Sequence, residues 1–209
     1  MYGMSMNLAG WRNILKRFMS RGVYPQELAF LLDNPLRHFI LSPRQLADIL
    51  RLPVNATVLE IGPGPGYFSV EVARRIPNGQ LVLLDIQPEM LIKSRRKLER
   101  AGLTNFHVVE GSATCLPFGP HIFDAVFLVS VLGEISQPKE CLNCLGRVVR
   151  RGGLLSVTEM RGDPDALPQS EVLDLSETGG FELQEKRSFP CGFTLNFRKV
   201  ENWAGASNK

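Results

Sequence analysis

The stretch Val58-Leu59-Glu60-Ile61-Gly62-Pro63-Gly64-Pro65-Gly66 decides how this chain is read. A short apolar run ends in three glycines at alternate positions, the pattern of a buried strand that turns sharply into a helix. The spacing is Gly-x-Gly-x-Gly, whereas a dinucleotide site carries Gly-x-Gly-x-x-Gly. Both intervening residues are prolines, which have no amide hydrogen. A pyrophosphate cradle is made of amide hydrogens, so the loop lacks two donors and its expected ligand is a nucleoside without phosphates. Asp85 lies 23 residues beyond Gly62, where a doubly wound sheet places the acid that accepts from ribose hydroxyls. Together, in register, the loop and the acid are a strong signal.

Working outward, strand-like runs at Thr57–Ile61, Gln80–Asp85, Phe106–Glu110, Phe123–Val129 and residues 154–158 alternate with segments of helical period. Phe68, Val72 and Ile76 mark the face of the first helix, and Leu91 and Leu98 that of the second, which opens at Pro88. A third helix is expected from about Pro138 to Arg150, ending in Gly152-Gly153, and a short one over residues 171–178. Strands at 181–188 and Gly192–Lys199 are joined by a turn too short for a parallel crossover, so the last strand is antiparallel. The expected fold is α/β: a doubly wound, mostly parallel sheet of seven strands. Residues 1–52 read as an N-terminal helical extension, 53–200 as the nucleoside-binding domain and 201–209 as a tail.

The 209 residues, 44% hydrophobic and with a net charge of +3, exclude wholesale disorder and give no electrostatic case for nucleic acid. Cys115, Cys141, Cys144 and Cys191 are too few for a disulfide scaffold, and no signal-peptide pattern opens the chain, so a reducing cytoplasm is expected. The longest apolar run, residues 125–132, is less than half of the roughly 20 residues a spanning helix needs.

The chain resembles the class I S-adenosylmethionine-dependent methyltransferases. Residues 58–66 match their first motif, and Leu83-Leu84-Asp85-Ile86 their second-strand motif. Leu116-Pro117-Phe118, Phe123-Asp124 and residues 147–153 match later landmarks. Among the branches it is most similar to the ubiquinone/menaquinone-biosynthesis type, which acts on quinones, sterols, phospholipids and other small molecules. The resemblance implies a Rossmann-like methyltransferase fold with S-adenosyl-L-methionine as cofactor and S-adenosyl-L-homocysteine as product. It implies that Gly62, Pro63, Gly64 and Gly66 meet the methionine part, Glu60 its ammonium and Asp85 the ribose. Ile86 would lie on the adenine, Ser112 and Ala113 at its edge, and Val129 and Ser130 beneath the methyl group. One departure is Gly111-Ser112-Ala113, where the family commonly has Gly-Asp-Ala; a serine oxygen accepts more weakly than a carboxylate.

An activated methyl on a sulfonium needs chiefly an aligned nucleophile and the exclusion of water, so no catalytic residue is assigned. Glu134 is the best-placed general-base candidate, against the alternative of a solvated loop carboxylate. His38 and His121 could face the pocket, although structural or surface roles suit both better, and His107 reads as structural. Cys141 and Cys144 form a lone C-x-x-C on one helix face, read as structural thiols; no metal site is expected. The function reads as methyl transfer to a small-molecule or lipid-like acceptor, the alternatives being a non-catalytic sensor or scaffold and an NAD-dependent oxidoreductase. A nucleic-acid methyltransferase is disfavoured, since residues 127–130 carry no Asn-Pro-Pro-Tyr-type motif.

Residues 161–170 are too few for a substrate-binding insertion, so the N-terminal extension is expected to cover the pocket. Leu8, Trp11, Leu15, Phe18 and Met19 fall at helical spacing, and the first 21 residues hold four basic and no acidic side chains. That pattern suits a lid, and leaves open peripheral membrane contact past residues 33–41.

Overall fold

A computed structural model describes residues 41–201. Helix α1 (Pro43–Leu50) opens on a capping box: the Ser42 hydroxyl accepts from the Gln45 amide at 3.2 Å, and the Gln45 side chain accepts from the Ser42 amide at 2.9 Å. The elements then run β1 (Thr57–Ile61), α2 (Ser69–Arg75), β2 (Gln80–Asp85), α3 (Pro88–Arg100), β3 (Phe106–Glu110) and β4 (Phe123–Val129). A single 3-10 turn, Leu132–Glu134, precedes α4 (Pro138–Val148), β5 (Val149–Met160), α5 (Gln169–Thr178), β6 (Phe181–Phe189) and β7 (Gly192–Lys199). The seven strands form one sheet in the order β3-β2-β1-β4-β5-β7-β6. The first five are mutually parallel, and β7 runs antiparallel to both β5 and β6.

Each face of the sheet carries its own apolar layer. On one, Leu59, Val126, Leu128 and Val157 pack against Cys141, Leu142 and Leu145 of α4 and Val172 of α5. On the other, Val58, Leu81, Leu83 and Phe127 meet Leu46 and Leu50 of α1, Val72 of α2 and Leu91 and Leu98 of α3. Burial on both faces is why β1 and β4 read as continuous apolar runs. The chain reverses direction across the sheet between β1 and β4, and a crevice opens there at the strands' C-terminal ends.

The third helix ends at Val148, before the glycine pair expected to stop it, and β5 starts at Val149, five residues earlier than the sequence suggested. Phe123 pairs with Val149 but Ala125 with Leu154, so residues 150–153 form a bulge, with Gly152 at φ 70°. Arg150 uses the bulge to reach Asp124.

The amphipathic run at residues 7–20, His38, most of the segment 33–41 and the tail from 202 lie outside the described residues. Among the described residues, no helix is long and apolar enough to cross a membrane.

Candidate functional site

The loops that follow β1, β2, β3 and β4 converge on a cavity of about 350 Å³. Ten of the residues named above line it: Glu60, Gly62, Pro63, Gly64, Asp85, Ile86, Ser112, Ala113, Val129 and Ser130. Gly66 does not. A Cβ there would come within 3.0 Å of the Ser94 backbone, so its lack of a side chain lets α3 approach the loop. At Gly62, where φ is +64°, a Cβ would stand 2.6 Å from Val131 Cγ2 in the opposite wall.

The amides of the glycine loop are engaged within the protein. Gly62 N–H donates to the Leu84 carbonyl at 2.8 Å, Gly66 N–H to the Pro63 carbonyl at 3.0 Å, and the Gly64 amide is turned to the Asp85 carboxylate. With both prolines lacking a donor, the loop offers a phosphate nothing.

Asp85 is buried, which raises its pKa, while the Gln87, Gly64 and Ile86 amides oppose that rise; the Gln87 bond measures 2.9 Å. Glu60 is 3% exposed and Oε2 has no hydrogen-bond partner. Burial pushes its pKa up to about 8, the nearby Ser69 hydroxyl lowering it and the Asp85 charge adding to the rise. Ser130 holds φ +53°, uncommon for a residue with a side chain, and its buried Oγ is unpartnered. Ile86 lines the cavity yet is 58% exposed, an apolar surface turned to the cavity's mouth. Ser112 Oγ is shared with Thr114, lying 2.8 Å from its hydroxyl and accepting from its amide at 3.2 Å.

Glu134, on the 3-10 turn, lines the cavity and is half-buried, so the solvated-loop alternative does not describe it. Burial first, then the charges of Asp163, Asp165 and Asp85, push its pKa up to about 8. The loop after β5 also touches the site: Asp163 lines the cavity, and a Cβ on Gly133 would sit 1.7 Å from the Asp165 carbonyl oxygen. Neither Asp163 nor the buried Glu159 falls in any of the sequence motifs. The turn Gly162-Asp163-Pro164-Asp165 is the available signal for the first, and strand alternation alone does not mark the second.

Other candidates lie elsewhere. His121 precedes β4 at the far end of the sheet, with Nδ1 3.2 Å from the Val149 carbonyl, and His107 is exposed on β3. Cys141 is buried, which raises its pKa, and Cys144 Sγ donates to the Thr114 carbonyl at 3.2 Å, so both thiols are structural. Among the described residues no three His, Cys, Asp or Glu side chains are gathered closely enough to hold a metal ion.

Residues 58–153 match the family described as a methyltransferase domain. The chain is 31% identical over 125 residues to the ubiquinone/menaquinone biosynthesis C-methyltransferase of Roseobacter denitrificans, covering 59% of this chain and 50% of that protein. To the protein of the same name from Haemophilus ducreyi it is 31% identical over 140 residues, covering 63% and 54%. The chain thus spans about half the length of these curated relatives. A crystal structure described as a SAM dependent methyltransferase from Aquifex aeolicus superposes with a TM-score of 0.80 at 21% identity, over 85% of this chain and all of that one. The motif residues, the strand order and these likenesses agree: residues 58–153 match a methyltransferase domain, and the chain is similar to the class I S-adenosylmethionine-dependent methyltransferases of the ubiquinone/menaquinone-biosynthesis type.

Proposed function

We propose that the protein transfers a methyl group from S-adenosylmethionine to a small-molecule acceptor bound at the mouth of this cavity. The observation that carries the reading is an imbalance of polar groups: the glycine-loop amides are spent internally, whereas Glu60 Oε2 and Ser130 Oγ are buried in the wall with no partner. Unlike the orphaned hydroxyls of Ser156 and Ser176 in the core, these two lie in a cavity wall, where a bound ligand can satisfy them.

The residues present fit the nucleoside. Asp85 is positioned to accept from the ribose hydroxyls, the exposed Ile86 supplies an apolar face for adenine, and Ser112 and Ala113 border its edge. Glu60 provides the counter-charge for an ammonium, beside Gly62, Pro63 and Gly64; Val129 and Ser130 form the floor. When bound, the sulfonium supplies a methyl group activated for attack. The protein's own part is to hold the acceptor in line, keep water out and take up a proton, the last falling to Glu134, whose raised pKa near 8 suits a base working near neutrality. The four free thiols fit a reducing compartment. The relatives are named for C-methylation in quinone biosynthesis, and a small-molecule acceptor agrees with that name.

Titration calorimetry with S-adenosylhomocysteine is the direct test, with low-micromolar affinity or tighter expected, about 8 kcal/mol. NADH serves as the control and should give no heat. Silence with both S-adenosylhomocysteine and S-adenosylmethionine overturns the proposal.

A further inference from the structure

Glu60, near the end of β1, lines the cavity, is all but inaccessible to solvent, and leaves Oε2 without a hydrogen-bond partner. The groups packed around it do not favour a charge there. Asp85 approaches from β2 with the same sign. From α2 the neutral Ser69 hydroxyl lies near, whereas Glu71 of that helix is engaged by Arg75 at 3.0 Å. Its neighbours in the ladder, Leu83 on β2 and Phe127 on β4, are apolar. The other titratable groups lining the cavity are Tyr67, Glu134 and Asp163, and among the described residues no lysine, arginine or histidine lines it. A carboxylate buried without a cation is costly, so the empty cavity keeps Glu60 as the neutral acid, in line with a pKa pushed up to about 8 chiefly by burial.

Resting on the methyltransferase reading, we propose that cofactor loading is a proton exchange at Glu60: as the ammonium of the nucleoside's amino-acid tail docks beside it, the carboxyl gives its proton to solvent and pairs with the ammonium as a carboxylate. The balance closes without a co-reactant. The O–H bond breaks with its electron pair staying on oxygen, the proton passes to water or buffer, and the ammonium keeps all of its protons. Two properties follow. Glu60 is the residue by which the site selects a nucleoside carrying an amine over one that lacks it. The selection is graded by pH, because below neutrality a proton competes with the ammonium for the same oxygen. Acidification therefore unloads the cofactor through its tail, while the ribose end at Asp85 is untouched.

The test is calorimetry on the full chain with two probes, S-adenosylhomocysteine and 5′-methylthioadenosine, which shares the nucleoside and the neutral thioether sulfur but has no amino-acid tail. Proton uptake or release that the adenosine end causes at Asp85, Tyr67, Glu134 or Asp163 is common to both and cancels in the difference. At pH 7 and below an α-amino group stays protonated. There S-adenosylhomocysteine is expected to release about one proton more than 5′-methylthioadenosine, read from the dependence of the enthalpy on buffer. From pH 7 to pH 6 its affinity should fall by about tenfold, against about twofold or less for 5′-methylthioadenosine. Glu60→Gln, which mimics the neutral acid, should remove the extra proton and flatten the pH dependence of S-adenosylhomocysteine; the wild-type comparison decides even if that variant fails to fold. Equal proton counts for the two probes, or a pH dependence that persists in Glu60→Gln, overturns the exchange and leaves the methyltransferase reading in place. Failure of both probes to bind overturns that reading, and the exchange with it.

Discussion

At the end of the sheet where the parallel strands begin, charged side chains are matched. Arg147 donates to the Leu116 carbonyl at 2.9 Å and also to that of Phe118, Asp124 accepts from the Thr57 amide at 2.7 Å and pairs with Arg150, and Arg198 donates to the Gly152 carbonyl at 3.0 Å. At the opposite end, Glu60, Ser130 and Glu159 present buried oxygens to no partner, and Glu60, Glu134 and Glu159 all have pKa values pushed up to about 8, chiefly by burial. The same strands thus join an end built for stability to an end that gives up stability for binding. The family landmarks are divided the same way: residues 116–118, 124 and 147–153 brace the fold, and residues 60–65 and 85–86 line the cavity.

The comparison predicts that mutations separate by end. The largest effect should come from Asp85→Ala, which on the proposed reading removes two charge-assisted ribose bonds and should weaken S-adenosylhomocysteine by about 100-fold, roughly 3 kcal/mol, with little change in melting temperature. A variant that binds as wild type would break the division. Asp124→Ala should do the reverse. It leaves the Thr57 amide without its acceptor and should cost about 1–3 kcal/mol in urea unfolding, the half-exposed Arg150 pair adding little, with nucleoside affinity kept within about twofold.

A smaller effect should appear in the pH dependence of stability without ligand. Three carboxyls near pKa 8, against an ordinary 4.5, mean that the folded chain holds more protons than the unfolded chain between those limits. Their contribution is complete below about pH 4.5 and is lost as pH rises to 8. Lys199, lowered to about 8 by burial, works in the other sense: above pH 8 the unfolded chain holds the extra proton, so stability recovers. Scanning calorimetry should therefore find the melting temperature falling from about pH 5.5 to a minimum near pH 8, less steeply in Glu159→Gln. A melting temperature that rises over this interval would show that these carboxyls are paired in solution. The smallest effect is expected from Ser112→Asp. A carboxylate can keep the turn bond to the Thr114 amide and accept more strongly from an adenine amine, so affinity should hold or improve by about threefold or less. A large loss would mean that the Ser112–Thr114 hydroxyl pair itself shapes the adenine edge.

Why the two ends differ in legibility follows from the range of the signals. Each of β1 to β3 is flanked on at least one side by glycine or asparagine, and β4 is a largely apolar run, so local signals locate these four strands. The start of β5 is not local: Arg150-Arg151-Gly152-Gly153 reads as a helix stop until Asp124, 26 residues earlier, is seen to hold the bulge. In the cavity, the residues on the loops after β1 to β4 could be named because each follows a recognisable strand. Asp163 and Glu159 could not, because what brings them to Glu134 is a contact between two loops at Gly133 and Asp165. Gly66 shows the converse limit: a glycine in the right motif that serves α3 and not the ligand.

The strand order carries a consequence for how the molecule is made. β7 is the last strand of the sheet to be synthesised, yet it lies inside it, between β5 and β6. Until β7 has emerged from the ribosome, β5 exposes an unpaired edge beside the apolar Leu155 and Val157, and β6 has no neighbour to pair with. The nascent chain must therefore pass through a state with an open, sticky margin, and the interval before β7 inserts is when a chaperone would be of most use or aggregation most costly.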